Sequence, residues 1–525
     1  MEKTRSLWQL AAVTAILLLG LALRLAPWGD NRFLEDEALY ATWGLQIATG
    51  ADPLLDAEPV DKPPLHPYAL ALSFRLGSMP GPAGVGAGQE TAARLPSLLA
   101  SLASLVFVCA LGRALWANTA IGLLAALLLA LSPFDILFAS TAFTDPLMTA
   151  WVLGALLAAA KGRPGAAGLL AGLAAATKQQ GLLFLPLVVA VGALASARAT
   201  TVPPPAAIGP VLGEQDRRSK RAYAWLAQAW QQPWVRAGLG FALVAGGVLW
   251  WDTARVQRPG FLEQSLISYG GLGLADVGTL GERAAEWLQL VATFWASPAY
   301  NAVMGAAIVL WLAGGFAGWW AGGTRIDWAL VLFVFGYLLL HWLINFQVWD
   351  RYLLSLVPLV SLLAARAFVG LGTAIRARPW RRVYTVGLGL ALAASLSTPL
   401  VQATRSELPV GGDHGAYDGI DHLAAYLRTH APPGAVLYHH WLGYHYRYYL
   451  YGAPLRLHWY PDPADLAHDA TVYRHEPRYI AFPSWQASTP AETTLAAAGI
   501  RLVPISETTR RDSSVSFRLY RLEGP

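Results

Sequence analysis

Apolar runs separated by short polar connections dominate the first four hundred residues. A transmembrane helix needs roughly 17–25 mostly apolar residues. By that measure the first run is Leu7–Ala26, behind a short basic stretch carrying Lys3 and Arg5. No small-residue cleavage site follows it, so it reads as a retained signal anchor. Further runs are Leu95–Leu115, Thr119–Pro133, Pro146–Ala160, Ala166–Thr177, Gly181–Ala197 and Val235–Trp251. The series ends with Ala302–Trp320, Trp328–Phe346, Tyr352–Leu371 and Val383–Val401. These predict about eleven transmembrane helices. Pro67–Leu76 is too short to span and reads as an interfacial helix.

Beyond residue 403 the pattern changes. Ala435–His439, Leu455–Trp459, Tyr479–Phe482 and Leu502–Ile505 are strand-like, and Asp421–Thr429, Pro463–Val472 and Pro490–Ala498 are helix-like between them. Such alternation predicts a small α/β domain with a largely parallel sheet, and Ser514–Leu522 reads as an added edge strand. The fold class is therefore mainly α: a polytopic membrane protein over residues 1–403 with a soluble α/β domain over 404–525.

Composition and charge sharpen this reading. Charged residues are 14% of the 525, against roughly 25% in soluble proteins. That excludes a cytosolic enzyme, a disordered chain and a nucleic-acid binder. The net charge of +5 matters less than where the cations lie. With the N-terminus cytoplasmic, every second connection is basic: Arg113, then Lys161 and Arg163, the Arg217–Arg221 run, Arg325, and Arg376, Arg378, Arg381 and Arg382. The longer connections, 28–94 and 252–299, then lie outside, together with the C-terminal domain. A lone cysteine, Cys109, allows no internal disulfide.

Ionisable groups near a bilayer are costly and usually retained for function. On the predicted outer side fall Asp36 and Glu37, Asp61 and Lys62, Asp135 and Asp145, Lys178, and Asp350 and Arg351. In Glu35-Asp36-Glu37-Ala38-Leu39-Tyr40 the carboxylates open a membrane-lying helix, and one held there is poised as a general base. Pro63-Pro64 stiffens the backbone after Asp61-Lys62, and His66 reads as packing or capping. Lys178 and Arg351 suit an anionic phosphate, Lys as a point charge and Arg with a bidentate fork; Asp350 reads as neutralising Arg351. A transporter or lipid flippase shares this bulk composition, but such folds usually carry internal repeats and midplane sites, and no repeat is evident. A receptor or scaffold would leave Asp36, Lys62 and Arg351 without a joint role.

The acidic pair Asp36-Glu37 resembles the Asp-Glu signature of C-fold (GT-C) glycosyltransferases. Asp61-Lys62-Pro63-Pro64-Leu65-His66 is similar to the acidic-Lys-Pro-Pro-Leu-His motif of the lipid A aminoarabinose transferases, a group related to the protein O-mannosyltransferases. Thr144-Asp145-Pro146-Leu147, Lys178-Gln179-Gln180-Gly181 and Arg351-Tyr352-Leu353-Leu354 follow in that family's order, and the resemblance covers residues 1 to about 400. It implies inverting transfer of a sugar from a polyprenyl-phosphate donor to an acceptor hydroxyl of a protein, glycolipid or polymer, on the non-cytoplasmic side of the cell membrane. It also implies Asp36 as base with Glu37 and Asp61 orienting it. Lys62, Lys178 and Arg351 would hold the phosphate beside Tyr352, with His66 and Asp145 in support. The family often has Glu where Asp61 stands, a position linked there to a divalent metal ion. The aromatic stretch Tyr438-His439-His440-Trp441, with His445, Tyr446, Tyr448, Tyr449 and Tyr451 after it, suits packing against the membrane domain or carbohydrate or acceptor recognition.

Overall fold

A computed structural model describes residues 2–80, 85–199, 232–318 and 324–524; the basic Arg217–Arg221 run lies outside them. Nine helices build the first half: α1 (Glu2–Leu25), α2 (Glu35–Thr49), α3 (Leu65–Gly77), α4 (Ala87–Trp116), α5 (Thr119–Ala130), α6 (Pro133–Ala139), α7 (Thr144–Ala160), α8 (Pro164–Thr177) and α9 (Leu185–Ala199). Four long apolar helices follow, Pro233–Ala254, Pro298–Phe316, Arg325–Leu343 and Arg378–Thr404, with Asp350–Ala374 before the last.

Among the described residues each of the eleven apolar segments is mostly helical, but not all reach the length of the longest spans. Among the described residues eight helices are long and apolar enough to cross a membrane, or nine if α5 and α6, bent by 64°, count as one span. At 1.5 Å per residue α7 and α8 reach only about 25 and 21 Å, short of a hydrocarbon core of about 30 Å. Both are largely enclosed by other parts of the protein, α7 on most of its faces. Close helix contact depends on small residues: a Cβ on Gly168 of α8 would stand 1.8 Å from the Ala237 carbonyl oxygen.

Asp135 had the look of a functional group at a span end. It is buried instead against Arg24 of α1, forming an ion pair, and Ser101 of α4 donates to it at 2.6 Å. Three helices thus share one satisfied buried charge pair, a structural clasp.

α2 packs on α3, and α3 in turn on α4. Three carboxylates in the first turn of α2 complement its macrodipole, and Gly50, at φ +78°, ends it in the left-handed conformation. Gly44 lets α3 cross closely, since a Cβ there would meet Leu70 Cβ at 2.7 Å.

The C-terminal region has five strands, β1 (Val436–His439), β2 (Arg456–Trp459), β3 (Arg478–Pro483), β4 (Arg501–Thr509) and β5 (Val515–Glu523), in the order β2-β1-β3-β5-β4. β1 pairs in parallel with β2 and β3, while β5 is antiparallel to both β3 and β4. The sheet is therefore mixed, not largely parallel. β5 is no edge strand either: the tight Arg510–Ser514 connection folds it back on β4 as a hairpin, and it inserts between β4 and β3. A short helix, Gly443–Tyr449, packs against α2 and carries the aromatic run.

Candidate active site

The 28–37 loop is gripped from both sides before it delivers Asp36. Glu37, 1% exposed, accepts from the backbone N–H of Leu34 at 3.0 Å and of Ala142 at 2.6 Å. It thereby ties the start of α2 to the segment leading into α7. Burial pushes its carboxyl up to about 7, against the opposing pull of Arg94 and the two N–H donors. From the C-terminal domain, His445 bonds the Phe33 carbonyl at 2.8 Å. Asp413 accepts from the Arg32 N–H at 3.0 Å, and the Tyr417 hydroxyl donates to Glu35. These contacts order a loop that sequence alone leaves free.

Asp36 then meets Arg351, Nη1 to Oδ2 2.6 Å. The guanidinium lies over the rings of Trp349 and Phe143 at 4.9 and 5.0 Å. Asp350, adjacent in sequence, does not neutralise Arg351. Its carboxylate accepts the backbone N–H of Arg351 at 2.7 Å and of Gly411 at 3.0 Å. Such local backbone capture by Asp is common, and it fixes the peptide from which Arg351 projects.

Lys62 is held directly before Pro63-Pro64 and is 3% exposed. Its ammonium donates to Asp61 at 2.5 Å and to the Tyr269 hydroxyl at 2.7 Å. Gln179 donates to the Asp61 carbonyl at 2.7 Å, joining this segment to the end of α8. Lys178, 5% exposed, is paired with Asp145 at 2.6 Å and lies 4.6 Å from the centroid of the Tyr352 ring. The charges of Arg351 and Lys62 both reach Lys178. Tyr352 is fixed in turn, its carbonyl accepting from the Tyr337 hydroxyl at 2.7 Å. His66 packs edge-on to Tyr40 at 5.6 Å and is fully buried, which drives its ring pKa down to about 3 and keeps it neutral.

Asp36, Asp61 and Arg351 open into one cavity of about 1120 Å³ between the end of the helical bundle and the C-terminal domain. Glu37, Lys62, His66, Asp145, Lys178 and Tyr352 do not line it; they are buried behind the residues that do. Sequence reasoning missed Tyr269, Trp349 and Arg447 on its walls. Only position could have drawn attention to them: Tyr269 and Trp349 lie in polar connections between apolar runs, and Arg447 within the aromatic stretch of the C-terminal domain. The aromatic run divides: Tyr446, Tyr448 and Tyr449 are buried, whereas His439, His440, Trp441 and Tyr444 face the cavity.

Among the described residues no three His, Cys, Asp or Glu side chains converge as a bound metal would need, and the Asp61 carboxylate is engaged by Lys62. The donor set is that of an ion pair and does not fit a resident divalent ion.

Residues 61–218 match the family model described as dolichyl-phosphate-mannose-protein mannosyltransferase. No curated protein sequence matches the chain. Among solved structures, it is similar to ArnT from Cupriavidus metallidurans in the apo state, with a TM-score of 0.59 at 16% identity over 99% of this chain and 100% of that one. The same enzyme bound to undecaprenyl phosphate gives 0.58 at 16%, covering 99% of each chain. The oligosaccharyltransferase of Archaeoglobus fulgidus, tethered with an acceptor peptide, gives 0.51 at 13% over 97% of this chain and 74% of that one. At these identities the likeness establishes the fold. The chain thus has an ArnT-like fold, and over residues 61–218 it resembles the protein mannosyltransferases.

Proposed function

We propose that this enzyme transfers a sugar from a polyprenyl-phosphate-linked donor to an acceptor hydroxyl, with inversion at the anomeric carbon, on the non-cytoplasmic face of the membrane. The observation that carries the reading is the Asp36–Arg351 pair at 2.6 Å on the wall of a large cavity, with Lys62 and Lys178 close behind. The half-exposed Asp36 carboxylate meets Arg351 on the cavity wall, while Lys62 and Lys178 are buried on Asp61 and Asp145. That is the division of labour this reaction asks for.

A phosphate-linked donor departs as a stable anion, so the leaving oxygen needs no protonation, in contrast to glycoside hydrolysis. One base suffices. Asp36 takes the acceptor hydroxyl proton as the acceptor oxygen bonds to the anomeric carbon. The carbon–oxygen bond to phosphate breaks on the opposite face, and polyprenyl phosphate leaves. Arg351 offers a planar fork and Lys62 and Lys178 point charges to the departing anion. These cations are preorganised by protein partners and need not reorganise as charge develops. Asp61 orients Lys62, Asp145 orients Lys178, and Glu37 fixes the turn that presents Asp36. The undecaprenyl phosphate bound to the similarly folded ArnT supports a carrier of this kind, as does the dolichyl-phosphate-mannose donor in the matching family's description.

The test is to incubate the purified protein in lipid with a panel of polyprenyl-phosphate sugars and measure released polyprenyl phosphate by mass spectrometry. Release that depends on acceptor, with the opposite anomer in the product, is expected. Product retaining the donor's anomeric configuration would overturn the one-base mechanism.

A further inference from the structure

The cavity has two unlike walls. The helical bundle supplies Asp36, Asp61 and Arg351. The C-terminal domain supplies rings: Trp441 is 56% exposed, Trp459 58% and Tyr444 42%, and all three line the cavity. Arg447 is the charged residue of that wall, and Glu58 already engages it. Large aromatic faces left wet beside polar groups mark a ligand-binding groove more often than chance exposure.

The sheet explains why the rings gather there. β1 ends at His439 and β2, parallel to it, at Trp459. The carboxyl ends of both strands reach the same cavity, which His439 and Trp459 line. Open α/β sheets bind ligands outside the carboxyl ends of their strands. The loop leaving β1 carries Trp441, buttressed edge-on by His440 at 4.6 Å, and His440 is itself fixed to the Tyr460 carbonyl at 2.8 Å. Along β2, Leu457 and Trp459 line the cavity, while Arg456 and His458 pair with Glu476 and Asp469 away from it. The Tyr444 hydroxyl lies within electrostatic reach of both Asp36 and Asp61, so this wall adjoins the reacting centre.

We propose that Trp441, Trp459 and Tyr444 form a saccharide-binding subsite that holds the acceptor, making the acceptor a carbohydrate chain. This deepens the glycosyl-transfer reading above and rests on it. Sugar rings present C–H faces that stack on indole and phenol rings and hydroxyls that bond polar neighbours. A wall of aromatics with its one cation neutralised fits that chemistry. The volume fits too, since cavities of roughly 300–1,000 Å³ already hold drug-sized ligands, leaving room for an acceptor sugar beside the donor. A peptide acceptor would use the free edge of β2 by strand addition, but four residues offer few ladder bonds, and the wet rings would then go unused.

The experiment is saturation-transfer NMR on the full chain in lipid nanodiscs, using mannobiose, cellobiose and maltose as neutral probes and a Ser/Thr-rich peptide as the competing class. Transfer from aromatic protons to a disaccharide is expected, weakened about tenfold in Trp441→Ala/Trp459→Ala and unchanged in Trp380→Ala, whose ring is exposed elsewhere. Both substituted rings of the double variant are more than half exposed, so its fold should survive, and circular dichroism checks this. Saturation of the peptide alone, of no disaccharide, or of a disaccharide regardless of the tryptophans overturns the proposal. Asp36→Asn separates the two claims, because it should bind the disaccharide while losing turnover. Binding without turnover in the wild type would count against the transfer reaction and leave the subsite standing.

Discussion

Arg351 pairs with Asp36 across the cavity wall at 2.6 Å, although Asp350 is its neighbour in the chain. The pair joins the start of α2 to the last third of the bundle and sets the base and a phosphate-binding cation side by side. Arg351→Lys keeps the charge and removes the fork. A loss of roughly 10- to 100-fold in kcat/KM is expected, about 1.4–2.8 kcal/mol of transition-state stabilisation. Steady-state kinetics with a polyprenyl-phosphate sugar measures it.

Lys178 and Asp145 form a buried pair, and removing one partner of such a pair costs about 3–5 kcal/mol. Lys178→Met and Asp145→Leu should each melt earlier, and the double variant should recover much of the loss. Activity separates the roles. If Lys178 holds the donor phosphate, the stable double variant remains inactive; restored activity would make the lysine merely Asp145's partner.

The Arg24–Asp135 clasp lies away from the cavity lining. Asp135→Asn should lower the melting temperature, because Arg24 loses its buried counter-charge. The KM for donor in the folded fraction should stay within about twofold, since substitutions remote from a site act on it nearly independently. Thermal unfolding and kinetics on one preparation check both.

Tyr269→Phe removes the hydroxyl that accepts from Lys62 at 2.7 Å and leaves the ring. A lost hydrogen bond to a charged group is worth about 1.5–3 kcal/mol. Donor KM should rise by roughly tenfold or more, with a smaller change in kcat.

Stability should carry a pH signature from the loop's two grips. Burial raises Glu37 from 4.5 to about 7 and Asp413 from 3.8 to about 6. Within those windows the folded chain retains protons that the unfolded chain has released, so stability falls as pH rises. The contribution is fully present below about pH 4 and lost by about pH 7. Melting curves in nanodiscs from pH 4 to 8 should show this slope, and Glu37→Gln should flatten its upper part. A Glu37→Gln slope equal to wild type would contradict the assignment.

The sequence made the spans legible because apolar length is a local property. It also drew attention to Asp36, Asp61, Lys62, Lys178 and Arg351, because charge near a bilayer must have a reason. Their pairing was not legible. Nothing local says that Asp36 rather than Asp350 meets Arg351, or that Asp135 turns inward to Arg24. These are tertiary choices, fixed by how α1, α2 and α6 pack. β5 was misplaced for the same reason: short strands announce themselves by alternation, but their order depends on pairing with distant partners. Tyr269 carries no local signal that separates a cavity-lining ring from an interfacial one, and the aromatic stretch around Trp441 does not say which of its rings face the cavity.

The most direct measurement compares wild type with Asp36→Asn, purified in lipid, for release of polyprenyl phosphate from a radiolabelled polyprenyl-phosphate sugar in the presence of acceptor. Asp36 is partly exposed, so the variant should fold. A drop of about 100- to 10,000-fold in kcat at unchanged donor binding is the result expected for a lost general base. Turnover that survives the substitution would contradict the role of Asp36 and with it the mechanism.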